Sequence, residues 1–221
     1  PTTGTVAAEI FVYDPQVLVT VLEELHHELG ADAPEGDSGL GDYGDHLLPR
    51  LVERGKVVAH PIGGYWKDLG QPHKYLAAHR DALTDDLGVL GDPDWPILGH
   101  HLQRPAARVR AGAEVADSLL SPGALVHGTV VRSVVGPGTV VEEGAVVRDS
   151  VLFEGTVVER GACIERSVVD RDCVVGAGSR VGSPDTDLDD PDAITLVGRA
   201  SRIGAGAVVA GGARLEPGTT A

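Results

Sequence analysis

The chain has 221 residues, room for one large domain or two smaller ones; 42% are hydrophobic but only 4% aromatic, so a core must be filled by Val, Leu, Ala and Ile. A formal charge of −15 argues against nucleic acid or an anionic membrane as a partner. No run approaches the ~18 apolar residues of a membrane span, and no charged stretch leads into the short apolar core of a secretory signal.

In chain order, Glu9–Asp14 ("EIFVYD") is β-rich and reads as a buried strand. Asp14 then caps a helix with Pro15 at its first position, Val17, Leu18, Val21, Leu22 and Leu25 on one apolar face, and Gly30 at its end. A Gly, Asp and Pro-rich loop follows. "DHLLPRLVERG" reads as a second short helix with Asp45 as its cap and Gly55 as its stop. "KVVAHP" reads as a strand and "GGYWKDLGQP" as an extended segment ending in a turn. Pro72 opens a third helix through Tyr75, Leu76, His79 and Leu83. This alternation suits the later part of an α/β domain covering residues 1–83. Residues 84–107 hold three prolines and no sustained period, a connector that Trp95 is expected to pin to one of the domains.

From residue 108 the period becomes six. Aliphatic anchors recur at Val109, Val115, Leu120, Val126, Val135, Val141, Val147, Leu152, Val158, Ile164, Val169, Val175 and Val181. A longer unit places Ser118, Ser133, Ser150 and Ser167 at steps of 15, 17 and 17. Self-similarity at this length means a repeat architecture. A six-residue step fits a parallel β-helix, three short sides to a coil, with each anchor stacking on its counterpart in the next coil. An acidic insertion, residues 183–193, interrupts the pattern and reads as a solvated loop. The period resumes at Val197, Ile203, Val209 and Leu215. Two cysteines, Cys163 and Cys173, make no disulfide framework and read as small residues of the packed coils in a cytoplasmic protein.

Hexapeptide coils also occur in acyltransferases that use a histidine base. The repeat offers only His127, at a corner where later repeats carry Glu142 and Glu159, so the repeat reads poorly as a catalyst. The denser signals lie upstream. In "GYWKDLGQP" two aromatics, a cation and a carboxylate end an extended segment just before a helix, where sites gather in α/β folds. Asp68 there is a candidate ligand for Mg²⁺, which takes one or two carboxylates plus phosphate oxygens and water. Asp42 and Asp45 in "GDYGDHLLP" also serve as turn and cap residues.

The ordered set "DYGDHLLP" (Asp42–Pro49), "YWKDLG" (Tyr65–Gly70), "WPI" (Trp95–Ile97) and hexapeptide repeats resembles the C-terminal half of the glucose-1-phosphate adenylyltransferases. The resemblance implies the C-terminal part of a Rossmann-like nucleotidyltransferase domain followed by a left-handed parallel β-helix. It implies a reaction joining a sugar phosphate and a nucleoside triphosphate, with Mg²⁺ as cofactor. By position it makes Asp68 the catalytic metal-binding aspartate, Asp42 an aspartate beside the sugar phosphate, and Trp66 part of the lining of that pocket. It also implies a homotetramer, with effectors bound where the two domains meet. Three parts of the family's machinery have no match: the glycine-rich phosphate loop, the first metal aspartate, and the lysine that grips the sugar phosphate. The chain opens on Pro1 and reads as a piece of a longer protein, expected to be inactive by itself. Where the family has Ala-Ser-Met-Gly ahead of its strand, this chain has Val6, Ala7, Ala8 and Glu9, which leaves another sugar or nucleotide open, or a non-catalytic assembly subunit.

Overall fold

A computed structural model describes residues 6–30, 34, 37–84, 92–98 and 103–221. The chain divides into two compact units, Pro1–Trp66 and Lys67–Ala221. Among the described residues no helix is long and apolar enough to cross a membrane.

The first unit is built on helix α1 (Pro15–Leu29). The Asp14 carboxylate accepts the amides of Gln16 and Val17 at 3.0 and 3.2 Å, and Pro15 costs nothing at a position with no helical bond to make. Val21 and Leu25 are buried against Leu47 and Leu51, with Leu18 and Leu22 packed at the side; Val17 is largely exposed. Tyr43–Leu47 form a π-helical turn that runs into α2 (Leu48–Glu53). Arg50 grips Glu28 at 2.7 Å, and Arg54 bonds Glu24, tying α2 to α1. Gly55 follows at φ +77°, the left-handed conformation that stops a helix at least cost in glycine.

Two predicted strands are not formed. Glu9–Asp14 and Lys56–Pro61 run without regular structure, and Val12 and Val58 are 96% and 87% exposed. A strand is held by hydrogen bonds to a neighbour, and no described segment supplies one to either. Asp45 is also not the helix cap. Asp42 takes that place, while Asp45 Oδ2 accepts the Asp42 amide at 3.1 Å, so the two carboxylates close a reciprocal capping box.

In the second unit, α3 (Pro72–Asp81) precedes eighteen short strands among the described residues, from β1 (Arg108–Val109) to β18 (Arg214–Leu215). They form three parallel six-stranded sheets, and each strand pairs with the one three places along the chain. This is a parallel β-helix, as the six-residue period requires. One column of anchors is Val109, Val126, Val141, Val158, Val175 and Ile203. A second is Val115, Val130, Val147, Ile164, Val181 and Val209. The third is Leu120, Val135, Leu152, Val169, Val197 and Leu215. Val130 belongs to this set although the shortened first repeat hid it. Apart from the terminal members, the anchors are sealed from solvent, each contributing about 1.5–3 kcal/mol of apolar burial.

The serine period has a structural cause. Each of Ser118, Ser133, Ser150 and Ser167 donates its hydroxyl to the carbonyl two residues before it. The Ser118, Ser133 and Ser150 hydroxyls also accept the amide of the next serine, at 3.1–3.2 Å. The residue before each serine (Asp117, Arg132, Asp149 and Arg166) turns the corner at φ 45–47°. Such a turn costs about 1–2 kcal/mol in a non-glycine residue, and the hydroxyl bonds offset it. Gly182 ends the ladder; a Cβ there would collide with the Glu165 carbonyl and the Ser167 hydroxyl. At another corner Thr139, Thr156 and Ser201 hydroxyls and the Cys173 thiol each reach a carbonyl of the following coil, the thiol at 3.2 Å. Cys173 is therefore a buried member of a hydroxyl column. Cys163, in contrast, faces outward beside the inward Ile164, so it is not a core residue. Burial is the first cause that pushes both thiols up, away from the reactive thiolate.

The insertion is more than a solvated loop. Its carboxylates face water, but Thr186 is buried, Leu188 packs beside Ile194, Arg166 bonds the Thr186 carbonyl and Arg214 holds Asp192 at 2.7 Å. Trp95 is 82% exposed, so its ring is not the buried anchor expected of it among the described residues. Arg104 does hold it, through Glu154.

Candidate active site

The three predicted site residues fall on both sides of the unit boundary. Asp42 and Trp66 belong to the first unit and Asp68 to the second. Asp42 caps the π-helical turn, with Oδ1 accepting the Gly44 amide at 2.9 Å. The "DYGD" stretch thus folds as it does because both aspartates close one turn, and Tyr43 is left exposed beside Phe11, 6.4 Å between ring centroids. Trp66 is partly exposed, next to Tyr65, in an extended segment without strand partners among the described residues.

Asp68 sits in a turn. Its Oδ1 accepts the Gly70 amide at 2.8 Å and its Oδ2 accepts Lys74 Nζ at 2.7 Å. The Lys74 ammonium, and then the Gly70 amide, hold its carboxyl below the ordinary value of 3.8, so it is ionised at neutral pH. Lys67, the residue before it, bonds Asp81 at the end of α3. Among the described residues no group of three or more His, Cys, Asp or Glu side chains is arranged to hold a metal ion. Asp68 alone would supply one carboxylate to a Mg²⁺ whose other ligands are phosphate oxygens and water, through lone pairs that its bonds to Gly70 and Lys74 leave open.

Sequence reasoning missed Asp149. It is 6% exposed and accepts two hydrogen bonds from Arg132, at 2.8 and 2.7 Å, with Arg80 Nε of α3 at 3.9 Å. Burial pushes its carboxyl up, but the Arg132 hydrogen bonds and the charges of Arg132, Arg80 and Arg166 outweigh it and hold the group low. The signal was the alternation of Asp117, Arg132, Asp149 and Arg166 before the four serines, which stacks opposite charges on adjacent coils. His127 takes the same edge position as Glu142 and Glu159, donating its amide to the next coil in the same way; no catalytic partner attends it in the described hydrogen bonds.

Residues 105–195 match the family described as GlmU-like, C-terminal hexapeptide. Over 153 residues the chain is 35% identical to a protein of Streptomyces coelicolor named glucose-1-phosphate adenylyltransferase, covering 63% of this chain and 36% of that one. In sequence the chain is similar to the glucose-1-phosphate adenylyltransferases. Relatives of that name in Bacillus anthracis and Clostridium perfringens are each 33% identical over 154 residues, covering 69% of this chain and 39% and 37% of theirs. The chain thus spans little more than a third of the length of these curated relatives. The GlmU-like match runs from β1 of the coils into the strand Thr195–Val197.

Proposed function

We propose that the chain is the sugar-phosphate side and β-helix portion of a nucleotidyltransferase that joins ATP and glucose 1-phosphate into ADP-glucose and pyrophosphate, for glycogen or related α-glucan synthesis. The observation that carries this reading is the 33–35% identity to proteins named for that reaction. The ordered "DYGDHLLP" and "YWKDLG" segments support it.

In this reading a phosphate oxygen of the sugar phosphate attacks the α-phosphorus of ATP in line, and pyrophosphate leaves. Asp42 and Trp66 orient the sugar phosphate, and Asp68 contributes one carboxylate toward Mg²⁺. Bound Mg²⁺ would screen the phosphate charges. The ionised, doubly hydrogen-bonded state of Asp68 suits that part, since a ligand must be deprotonated and oriented. The resemblance extends the proposal to a Rossmann-like first domain, left-handed coils, a cytoplasmic homotetramer, and no turnover by this chain alone. The test is pyrophosphate release by the complete protein with a panel of sugar 1-phosphates and nucleoside triphosphates. Turnover is expected with glucose 1-phosphate and ATP; no release with any pair would sink the reading.

A second reading rests on one stretch. Ala7 lacks the hydroxyl of the family's serine, and Glu9 stands where the family has glycine while adopting φ +56°, a conformation glycine takes at little cost. A glycine geometry kept without the glycine favours another sugar, such as mannose 1-phosphate with a guanine nucleotide, or a non-catalytic assembly subunit. Preference for another pair in the same panel would select the first of these.

A further inference from the structure

Asp68 lies in an exposed turn, yet the turn is tied to α3 twice, by Lys67 to Asp81 and by Asp68 to Lys74. α3 is in turn fixed to the β-helix. Leu76 is 1% exposed in a pocket made by Val151 and Ile194, the Tyr75 ring stacks on Phe153 with 10° between planes, and Arg80 approaches Asp149. Leu69 of the turn is 51% exposed. A cavity of about 290 Å³ lies between Leu69, Gly70 and Pro72 on one side and Val168 and Leu196 on the other. The mechanical route from the coils to the carboxylate therefore runs through the helix.

We propose that the β-helix positions Asp68 through α3. Leu76 is the positioning residue that fixes the helix to the coils, and Lys74 is the one that fixes the carboxylate to the helix. This rests on the reading of Asp68 as a site residue given above. A carboxylate on an exposed turn samples many positions, and a misplacement of about 1 Å can cost ~10²-fold in rate. The repeat would then do more than assemble subunits: it would hold one of the reacting groups' ligands in register.

The test is backbone ¹⁵N relaxation on the full 221-residue chain, which reads local order without any turnover. Order parameters at Asp68–Gln71 should lie near the rigid value of about 0.85 and fall below about 0.6 in Lys74→Ala, with α3 unchanged. Lys74→Arg should restore them. Leu76→Ala should loosen α3 and Asp68–Gln71 together while Val158 and Ile164 stay rigid. If Asp68–Gln71 stays ordered in Lys74→Ala, or stays ordered in Leu76→Ala although α3 has loosened, the proposal is wrong. Lys74→Ala keeps the test decisive should Leu76→Ala fail to fold. In the complete protein both alanine variants should raise the Mg²⁺ concentration for half-maximal rate several-fold, with KM for the sugar phosphate unchanged and Lys74→Arg near wild type. A complete protein without activity on any pair would defeat the proposed reaction, while the relaxation result would still decide whether coil and helix order the turn.

Discussion

The coils from Arg108 to Leu215 and the segment from Val6 to Trp66 use similar apolar residues, yet among the described residues only the coils make strands. Val12 and Val58 look no less β-prone in sequence than Val158 or Val175, which are fully buried. The difference is where the hydrogen-bonding partner comes from. Each coil finds its partner 15 to 28 residues along the same chain, as Val126 finds Val141 and Val175 finds Ile203. Glu9–Asp14 and Lys56–Pro61 have no partner among the described residues. A repeat carries its own neighbours; a strand of an open sheet depends on distant chain.

The comparison is broken most forcefully in the coil interior. Ile164→Ala should lose about 2–5 kcal/mol in chemical denaturation of the chain, because a stacked column between Val147 and Val181 has little freedom to collapse into the hole. A loss under ~1 kcal/mol would mean that the column is loosely packed. Ser150→Ala comes next, at about 1–3 kcal/mol. It removes the acceptor for the buried Ser167 amide, one rung of the ladder, and leaves that amide unsatisfied.

Asp149→Asn should be smaller, about 1–2 kcal/mol at pH 7, since Arg132 remains half in water. The folded carboxyl titrates below the ordinary 3.8, so its contribution is present above that value and is lost as pH falls through the lower folded value. Wild type and variant should therefore converge in stability as pH falls through the lowered folded value and diverge above the ordinary 3.8; a constant gap across that range would remove the ion pair as the cause. The smallest effect belongs to the other region: Val58→Ala, at an 87% exposed position, should change stability by less than about 0.5 kcal/mol.

The same contrast explains what could be read from the residues. The β-helix was legible because its period is local: valine every six residues and serine every 15 to 17. Even there Val130 escaped, because the first repeat is two residues shorter. Helices α1 and α3 were legible from their caps, Asp14–Pro15 and Pro72. The predicted strands failed because β-propensity says nothing about a partner. The cap exchange between Asp42 and Asp45 was hidden because the Asp45 carboxylate turns back to the Asp42 amide and leaves the Asp42 carboxylate to accept the Gly44 amide. Of the candidate site, the motifs nominated Asp42, Trp66 and Asp68, but the grip of Lys74, six residues on from Asp68, needed the helix to be folded.

In the proposed reading chemistry resides in the Asp42–Gly70 stretch and the coils serve it. Asp68→Asn in the complete protein, assayed for Mg²⁺-dependent pyrophosphate release from ATP and glucose 1-phosphate beside its thermal midpoint, tests this most directly. The rate should fall about 10²–10³-fold with the midpoint unchanged, since Asp68 is an exposed turn residue. A variant that turns over at the wild-type rate would contradict it.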